Sequence, residues 1–284
     1  MTEKDFRKIV TDLELTKDEK EIINSFIIGL TKQLESNLKY TKIYEVKKAL
    51  TLADGTMYHG SKNLDLMLVV DMPKLNSYPL MNQAVLNEVW NFFVFEYNLD
   101  KFNQIQIDNN LNSIKVSLHD FNVNLLIRFK DALNYQTNFY ISTDELKTTF
   151  INIAASEFNL FKNTIQLITY YRDINNLDSI STYVIESLLY YGLSENFTRH
   201  TYELYLKEFI HAIDDLSKGV KIDQDNETYR KLNIERINLP KKQYMVIDVT
   251  DPKTNLVSGI GEAYLSDLRK LKKIILKLLE IKAE

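Results

Sequence analysis

Few side chains in this sequence could do covalent or metal chemistry. There is no cysteine, which removes thiolate nucleophiles, thiolate metal ligands and disulfides. The four histidines, His59, His119, His200 and His211, show no metal-ligand spacing, and spacing alone supports no Ser-His-Asp arrangement. Asp65 stands near the start of the apolar run Leu64–Val70. It is either a contact for a hard cation, which takes anionic oxygen ligands, or a strand-end carboxylate capping a turn. Gly55-Thr56 and Gly60-Ser61, just upstream, read as turn signals, and so does Asp251-Pro252. Arg269, Lys270, Lys272, Lys273 and Lys277 give the last periodic segment a basic side. Such a side faces RNA, an acidic partner or solvent.

The elements that must position these residues follow from periodicity. Thr16-Lys17-Asp18-Glu19 is a capping box. Ile22, Ile23, Phe26, Ile27, Leu30 and Leu34 follow at helical spacing, predicting a helix to about residue 38. After a polar stretch, Leu64–Val70 is short and β-prone, as in a buried strand. Pro73 and Pro79 bracket a loop, and Leu86, Val89, Trp90, Phe93 and Val94 predict a helix over 80–97. Strands are expected over Ile114–Leu118 and Phe121–Phe129, with a turn at His119-Asp120. From about residue 143 helical patterns dominate, over 143–172, 181–191 and 199–216. Lys221–Asn238 reads as irregular, Tyr244–Val249 as a strand, Gly259–Gly261 as a turn, and 262–281 as a final amphipathic helix. This order of elements predicts an α+β architecture in two lobes.

Composition narrows the class of protein. The chain has 284 residues, 45% of them hydrophobic, enough for a sizeable core. With 7 Gly and 4 Pro it is neither collagen-like nor a flexible linker. A net charge of -4 gives no global drive towards nucleic acid or anionic membranes. The charged N-terminus lacks the apolar core of a signal peptide, and no apolar run is long enough to span a bilayer. The expectation is a cytoplasmic chain with no membrane partner.

Several segments, in order, resemble the nucleotidyltransferase superfamily of polymerase-β-like fold. Leu50-Thr51-Leu52-Ala53-Asp54-Gly55-Thr56 and Ser61-Lys62-Asn63-Leu64-Asp65-Leu66 are similar to that family's signature. There a Gly-Ser opens a helix, Gly-Thr follows five residues on, and an Asp-x-Asp pair starts the next strand. Asn122-Val123-Asn124-Leu125-Leu126 falls where the family has its third catalytic Asp. Val246-Ile247-Asp248-Val249-Thr250-Asp251-Pro252-Lys253-Thr254-Asn255-Leu256-Val257 resembles an "ID-x-x-DP-x-x-N-x-V" element. Leu167–Arg172 and Ser181–Glu186 resemble helical-lobe elements. The branch most similar contains the oligoadenylate and cyclic-dinucleotide synthases. The resemblance implies a two-lobed fold: a nucleotidyltransferase-like α/β lobe over 1–142, with a mixed sheet and an N-terminal helix able to pack on the second lobe, and a helical lobe over 143–284 with a C-terminal strand and helix.

The resemblance also implies a degenerate site. The cage for two Mg²⁺ ions would be Asn63, Asp65 and Asn124, a single carboxylate where the family has three. The phosphate-gripping Gly-Ser becomes Leu50-Thr51, and a triphosphate-contacting Lys becomes Thr169. Thr51, Gly55, Thr56, Thr169, Ser181 and Tyr183 are the implied nucleotide-binding positions, Tyr183 as a base-stacking or a packing residue. Loss of one preorganised electrostatic element commonly costs about 10²–10³ in rate. The resemblance therefore implies a pseudoenzyme acting by binding a nucleotide, nucleic acid, a protein partner or a second copy of itself. No cofactor is expected, and Mg²⁺ only if activity is retained. The alternatives are an active enzyme making oligo- or cyclic nucleotides from NTPs, and a helical interaction protein with no nucleotide role.

Overall fold

The structure is a computed structural model that describes residues 1–71, 78–97, 99, 104–108, 112–118, 120–130, 137–177, 179–193, 200–237, 239–240, 244–257 and 262–280. Its elements are α1 (Glu3–Leu13), α2 (Lys17–Asn37), β1 (Ile43–Lys48), α3 (Leu50–Asp54), β2 (Asn63–Val70), α4 (Tyr78–Glu96), β3 (Ile105–Asp108), β4 (Ser113–Leu118), β5 (Phe121–Phe129), α5 (Thr137–Glu157), α6 (Phe161–Ile174), α7 (Thr182–Gly192), α8 (Tyr202–Ser217), β6 (Lys221–Ile222), α9 (Asn226–Lys231), β7 (Met245–Asp248), β8 (Asp251–Asn255) and α10 (Glu262–Glu280). They divide into two compact units, Leu15–Glu145, and Met1–Glu14 together with Leu146–Glu284. The architecture is α+β, with a mixed sheet.

The unit Leu15–Glu145 is built on a five-stranded sheet of order β1-β2-β5-β4-β3. β2 and β5 run parallel at its centre, and every other pairing is antiparallel. Because side chains alternate across a strand, the sheet has two unlike faces. Leu64, Leu66, Leu68, Val70, Val123, Leu125, Ile127 and Phe129 point to one face, where α2 and α4 cover them with Ile23, Ile27, Leu30, Leu34, Val85, Leu86, Val89 and Phe93. The other face carries Asn63, Asp65, Asn122 and Asn124 at the N-terminal ends of β2 and β5, then a small apolar cluster of Met67, Val69 and Leu126 with Ala49. Parallel pairing puts the two strand starts side by side, which is what gathers the polar residues.

The N-terminus of α2 forms the expected capping box: Thr16 accepts from Glu19 N, and Glu19 accepts from Thr16 N. In the second unit, α1 packs on α6 and α8, α7 packs on α8, and α10 packs on α6 and α8. A three-stranded sheet, β6-β7-β8, completes that unit.

The structure departs from the sequence reading in several places. The helical pattern over 143–172 is two helices: α5 ends at Glu157, and the Leu160 carbonyl starts α6 by accepting from both the N–H and hydroxyl of Thr164. Lys221–Asn238, read as irregular, contains β6 and α9, the latter capped by the Asp225 carboxylate on Thr228 N. The polar stretch after α2 holds β1, an edge strand that needs little apolar content because it is only half-covered. Ile22, counted on the apolar face of α2, is exposed. Pro79 lies in the first turn of α4, where its missing N–H is an orphan in any case. Pro73, His119 and Gly259–Gly261 lie outside the described residues. Among the described residues no helix is long and apolar enough to cross a membrane.

Candidate functional site

β2 and β5 pair in register so that Asp65 lies opposite Asn124 and Asn63 opposite Asn122. The pairs are hydrogen-bonded through their side chains. Asn124 Nδ2 donates to Asp65 Oδ1 at 3.0 Å, and Asn122 Nδ2 donates to Asn63 Oδ1 at 3.3 Å. Ser117 on β4 donates to Asn122 Oδ1 at 3.1 Å, extending the row by one strand. Asp65 Oδ2 accepts from Thr51 Oγ1 at 3.1 Å. Thr51, Asn63, Asp65 and Asn124 are thus brought to one end of the sheet's polar face. Asn63 and Asn122 are exposed, while Asp65 and Asn124 are half-buried. Asn124 Oδ1 is buried and has no hydrogen-bond partner.

α3 delivers Thr51. Ala49 N donates to the Asp65 carbonyl at 3.0 Å, fixing the start of the helix on β2. Leu50 follows with φ 43°, a left-handed backbone that costs a residue with a Cβ about 1–2 kcal/mol. Leu50 therefore has a backbone that glycine would adopt freely, but with a leucine side chain packed against Ala49, Met67, Val69 and Leu126. Gly55 closes α3 in the left-handed region at φ 80°, and Thr56 N and Met57 N both donate to the Thr51 carbonyl. Thr56 is 1% exposed. Its hydroxyl and N–H are both given to the buried Asp54 carboxylate, at 2.7 and 2.9 Å. Gly55 and Thr56 thus end the helix that carries Thr51.

Thr169, Ser181 and Tyr183 belong to the other unit. Thr169 lies on α6, 5% exposed, with its hydroxyl unpartnered; such a position suits threonine better than an ammonium group. Ser181 caps α7 by accepting from Val184 N. Tyr183 donates to Asp248 Oδ1 at 2.9 Å, and its ring lies 4.5 Å from Lys147 Nζ. Burial, and then the Asp248 carboxylate, push the Tyr183 hydroxyl well above the usual tyrosine range. Asp248 also accepts from Thr250 N and Thr250 Oγ1, and Asn255 Oδ1 accepts from Val246 N and Val257 N. The segment Val246–Val257 is a self-bonded hairpin against which Tyr183 docks.

Two residues of the polar row, Asn122 and Ser117, were not singled out by sequence. Period two from Asn124 points to Asn122, but Ser117 joins only through the β4–β5 register. Among the described residues no three of His, Asp and Glu come together where they could hold a metal ion.

The fold is that of the nucleotidyltransferase superfamily. CdnC from E. coli MS115-1, solved with ATP, superposes with a TM-score of 0.68 at 12% identity, covering 99% of this chain and 91% of that one. CdnC of the same strain in complex with HORMA gives 0.65 at 14%, covering 97% and 87%. The cyclic dinucleotide synthase CdnE from Elizabethkingia meningoseptica, with GTP and Apcpp, gives 0.55 at 13%, with both chains covered in full. No protein-family model and no curated protein sequence matches the chain.

Proposed function

We propose that this chain is a catalytically silent nucleotidyltransferase-fold protein that acts by binding. One observation carries the reading: the Asp65 carboxylate is held by the Asn124 amide and the Thr51 hydroxyl. Nucleotidyl transfer on this fold relies on two cations that neutralise a triphosphate and position the attacking hydroxyl. Mg²⁺ demands hard oxygens in octahedral array, with anionic ligands supplying most of the attraction.

The residues here do not fit that pair of ions. Asn63, Asp65 and Asn124 supply one negative charge between them. Asn124 turns its amide nitrogen, a donor that cannot ligate a cation, towards the carboxylate. The amide thus does for Asp65 what a metal ion would do in a carboxylate cluster. The phosphate positions point the same way: Leu50 brings a side chain where glycine would let backbone approach, and Thr169 is buried and uncharged. These features favour a protein partner, nucleic acid or a second copy of the chain over a free triphosphate as the bound species.

The test is labelled-NTP incorporation with Mg²⁺ or Mn²⁺, alongside isothermal titration of each NTP. No product and no metal-dependent heat are expected. Product that disappears in Asp65→Ala would overturn the reading. The nucleotides bound to CdnC and CdnE favour a second reading, an active enzyme joining or cyclising NTPs, and the same assay separates the two.

A further inference from the structure

In the unit that contains Leu146–Glu284, α9 and the residues after it form a cup. α9 ends in a Schellman motif: Asn233 N donates to the Arg230 carbonyl and Ile234 N to the Tyr229 carbonyl, both at 3.0 Å. Asn233 takes the left-handed backbone that closes this motif, at φ 55°. The chain therefore doubles back, and Arg236 returns to the start of α9. Its guanidinium donates to Asp223 Oδ2 from Nε at 3.3 Å and from Nη2 at 2.8 Å, and to Asn226 Oδ1 from Nη1 at 2.9 Å. A cavity of about 510 Å³ opens at this turn, a volume in the range of small-molecule sites. Asn226, Arg230, Glu235 and Arg236 form its polar wall, and Tyr229 and Ile234 its apolar part.

The fixed side chains of this wall present donors. Arg236 spends three N–H groups on Asp223 and Asn226, and a guanidinium has more to give. Asn226 has its carbonyl oxygen committed to Arg236, so its amide nitrogen is the end left for a ligand. The positive charge is not cancelled locally. Asp223 is shared between Arg236 and Lys221, one carboxylate for two cations. Arg230 reaches Glu227 only at 4.0 Å, while Lys231 takes that acid at 3.2 Å. From this arrangement we infer that the cup binds a small phosphomonoester through Arg230, Arg236 and the Asn226 amide. Guanidinium groups match phosphate oxygens in geometry and charge, and a dianion gains more from two of them than a monoanionic carboxylate does. Tyr229 and Ile234 offer the body of the ester an apolar surface. Glu235, the one acid among these lining residues, opposes the anion and holds its affinity down. The inference does not depend on whether the site on the sheet is silent.

The test is isothermal titration of the full chain with phenyl phosphate and with benzoate, in the presence of EDTA. The two probes share a ring, so the difference between them reads the anion. Phenyl phosphate is expected to bind more tightly than benzoate by about tenfold or more. Arg230→Ala should weaken phenyl phosphate by about tenfold or more, the scale of a lost hydrogen bond to a charged group. Glu235→Gln should tighten it by about two- to fivefold, the scale of an exposed charge pair. Both residues are exposed, so neither change removes buried packing. Lys207→Ala, on α8 and paired with Glu203, should leave the affinity unchanged. Absence of binding, equal or preferential binding of benzoate, an unchanged affinity in Arg230→Ala, or weaker binding in Glu235→Gln would each overturn the inference.

Discussion

Asn124 Nδ2 lies 3.0 Å from Asp65 Oδ1 across two parallel strands in direct register. Two carboxylates placed there would repel unless a cation lay between them, whereas an amide beside a carboxylate is attractive without one. Placing acids at the neighbouring positions should make folding depend on a cation. In Asn63→Asp/Asn124→Asp, like-charge repulsion should lower stability by about 1–2 kcal/mol with chelator present. Mn²⁺ should then raise its melting temperature, while leaving that of the parent chain unchanged. Differential scanning fluorimetry with EDTA and with Mn²⁺ measures both; equal responses of the two proteins would count against this geometry.

Leu50 offers a test of backbone strain. Its φ of 43° is costly for any residue with a Cβ, so Leu50→Gly and Leu50→Ala should not rank by helix propensity. Both lose the packing on Met67, Val69 and Leu126, but only glycine relieves the strain. The glycine variant should be more stable than the alanine variant by about 1 kcal/mol, read as a difference in urea midpoint. The opposite order would mean that the backbone at residue 50 is not left-handed.

Gly192, at the end of α7, marks a close approach to α8. A Cβ there would lie 2.5 Å from the Glu208 carbonyl oxygen, and a backbone atom cannot rotate away. Gly192→Ala should therefore destabilise the chain by about 1–3 kcal/mol through overpacking, despite alanine's better helix propensity. Equilibrium denaturation measures it, and an unchanged or raised midpoint would contradict this helix contact.

Glu19 should give stability a characteristic acid limb. Burial alone would raise its pKa, but donors from His59, Thr16 and Gly60 outweigh burial and bring it down to about 2 from 4.5. A carboxylate whose folded pKa is depressed contributes fully above its unfolded value and loses that contribution as pH falls through the folded one. The stability difference between the parent chain and Glu19→Gln should therefore be constant near neutrality and shrink between about pH 4.5 and pH 2. A difference independent of pH would mean that Glu19 acts through packing and not charge.

Much of the fold was readable from periodicity. The α2 capping box, the buried run of β2, the strand Phe121–Phe129 and the amphipathic α10 all announce themselves locally, because a helix or a buried strand repeats its apolar residues at its own period. β1 and β3 do not: as edge strands covered on one side they need few apolar residues, and their pairing is decided by what lies beside them. The break at Phe158–Leu160 was hidden because apolar spacing continues across it.

The candidate site divides in the same way. Residue identities alone established that cysteine chemistry is absent and that Asn63, Asp65 and Asn124 supply one carboxylate, since charge belongs to the side chain whatever the fold. Only the tertiary structure decided that Asn124 faces Asp65, that Ser117 and Asn122 continue the row, that Thr56 is committed to Asp54, and that the Tyr183 hydroxyl is taken by Asp248. Strand register and long-range hydrogen bonds join residues far apart in the chain, and no local pattern encodes such a pairing.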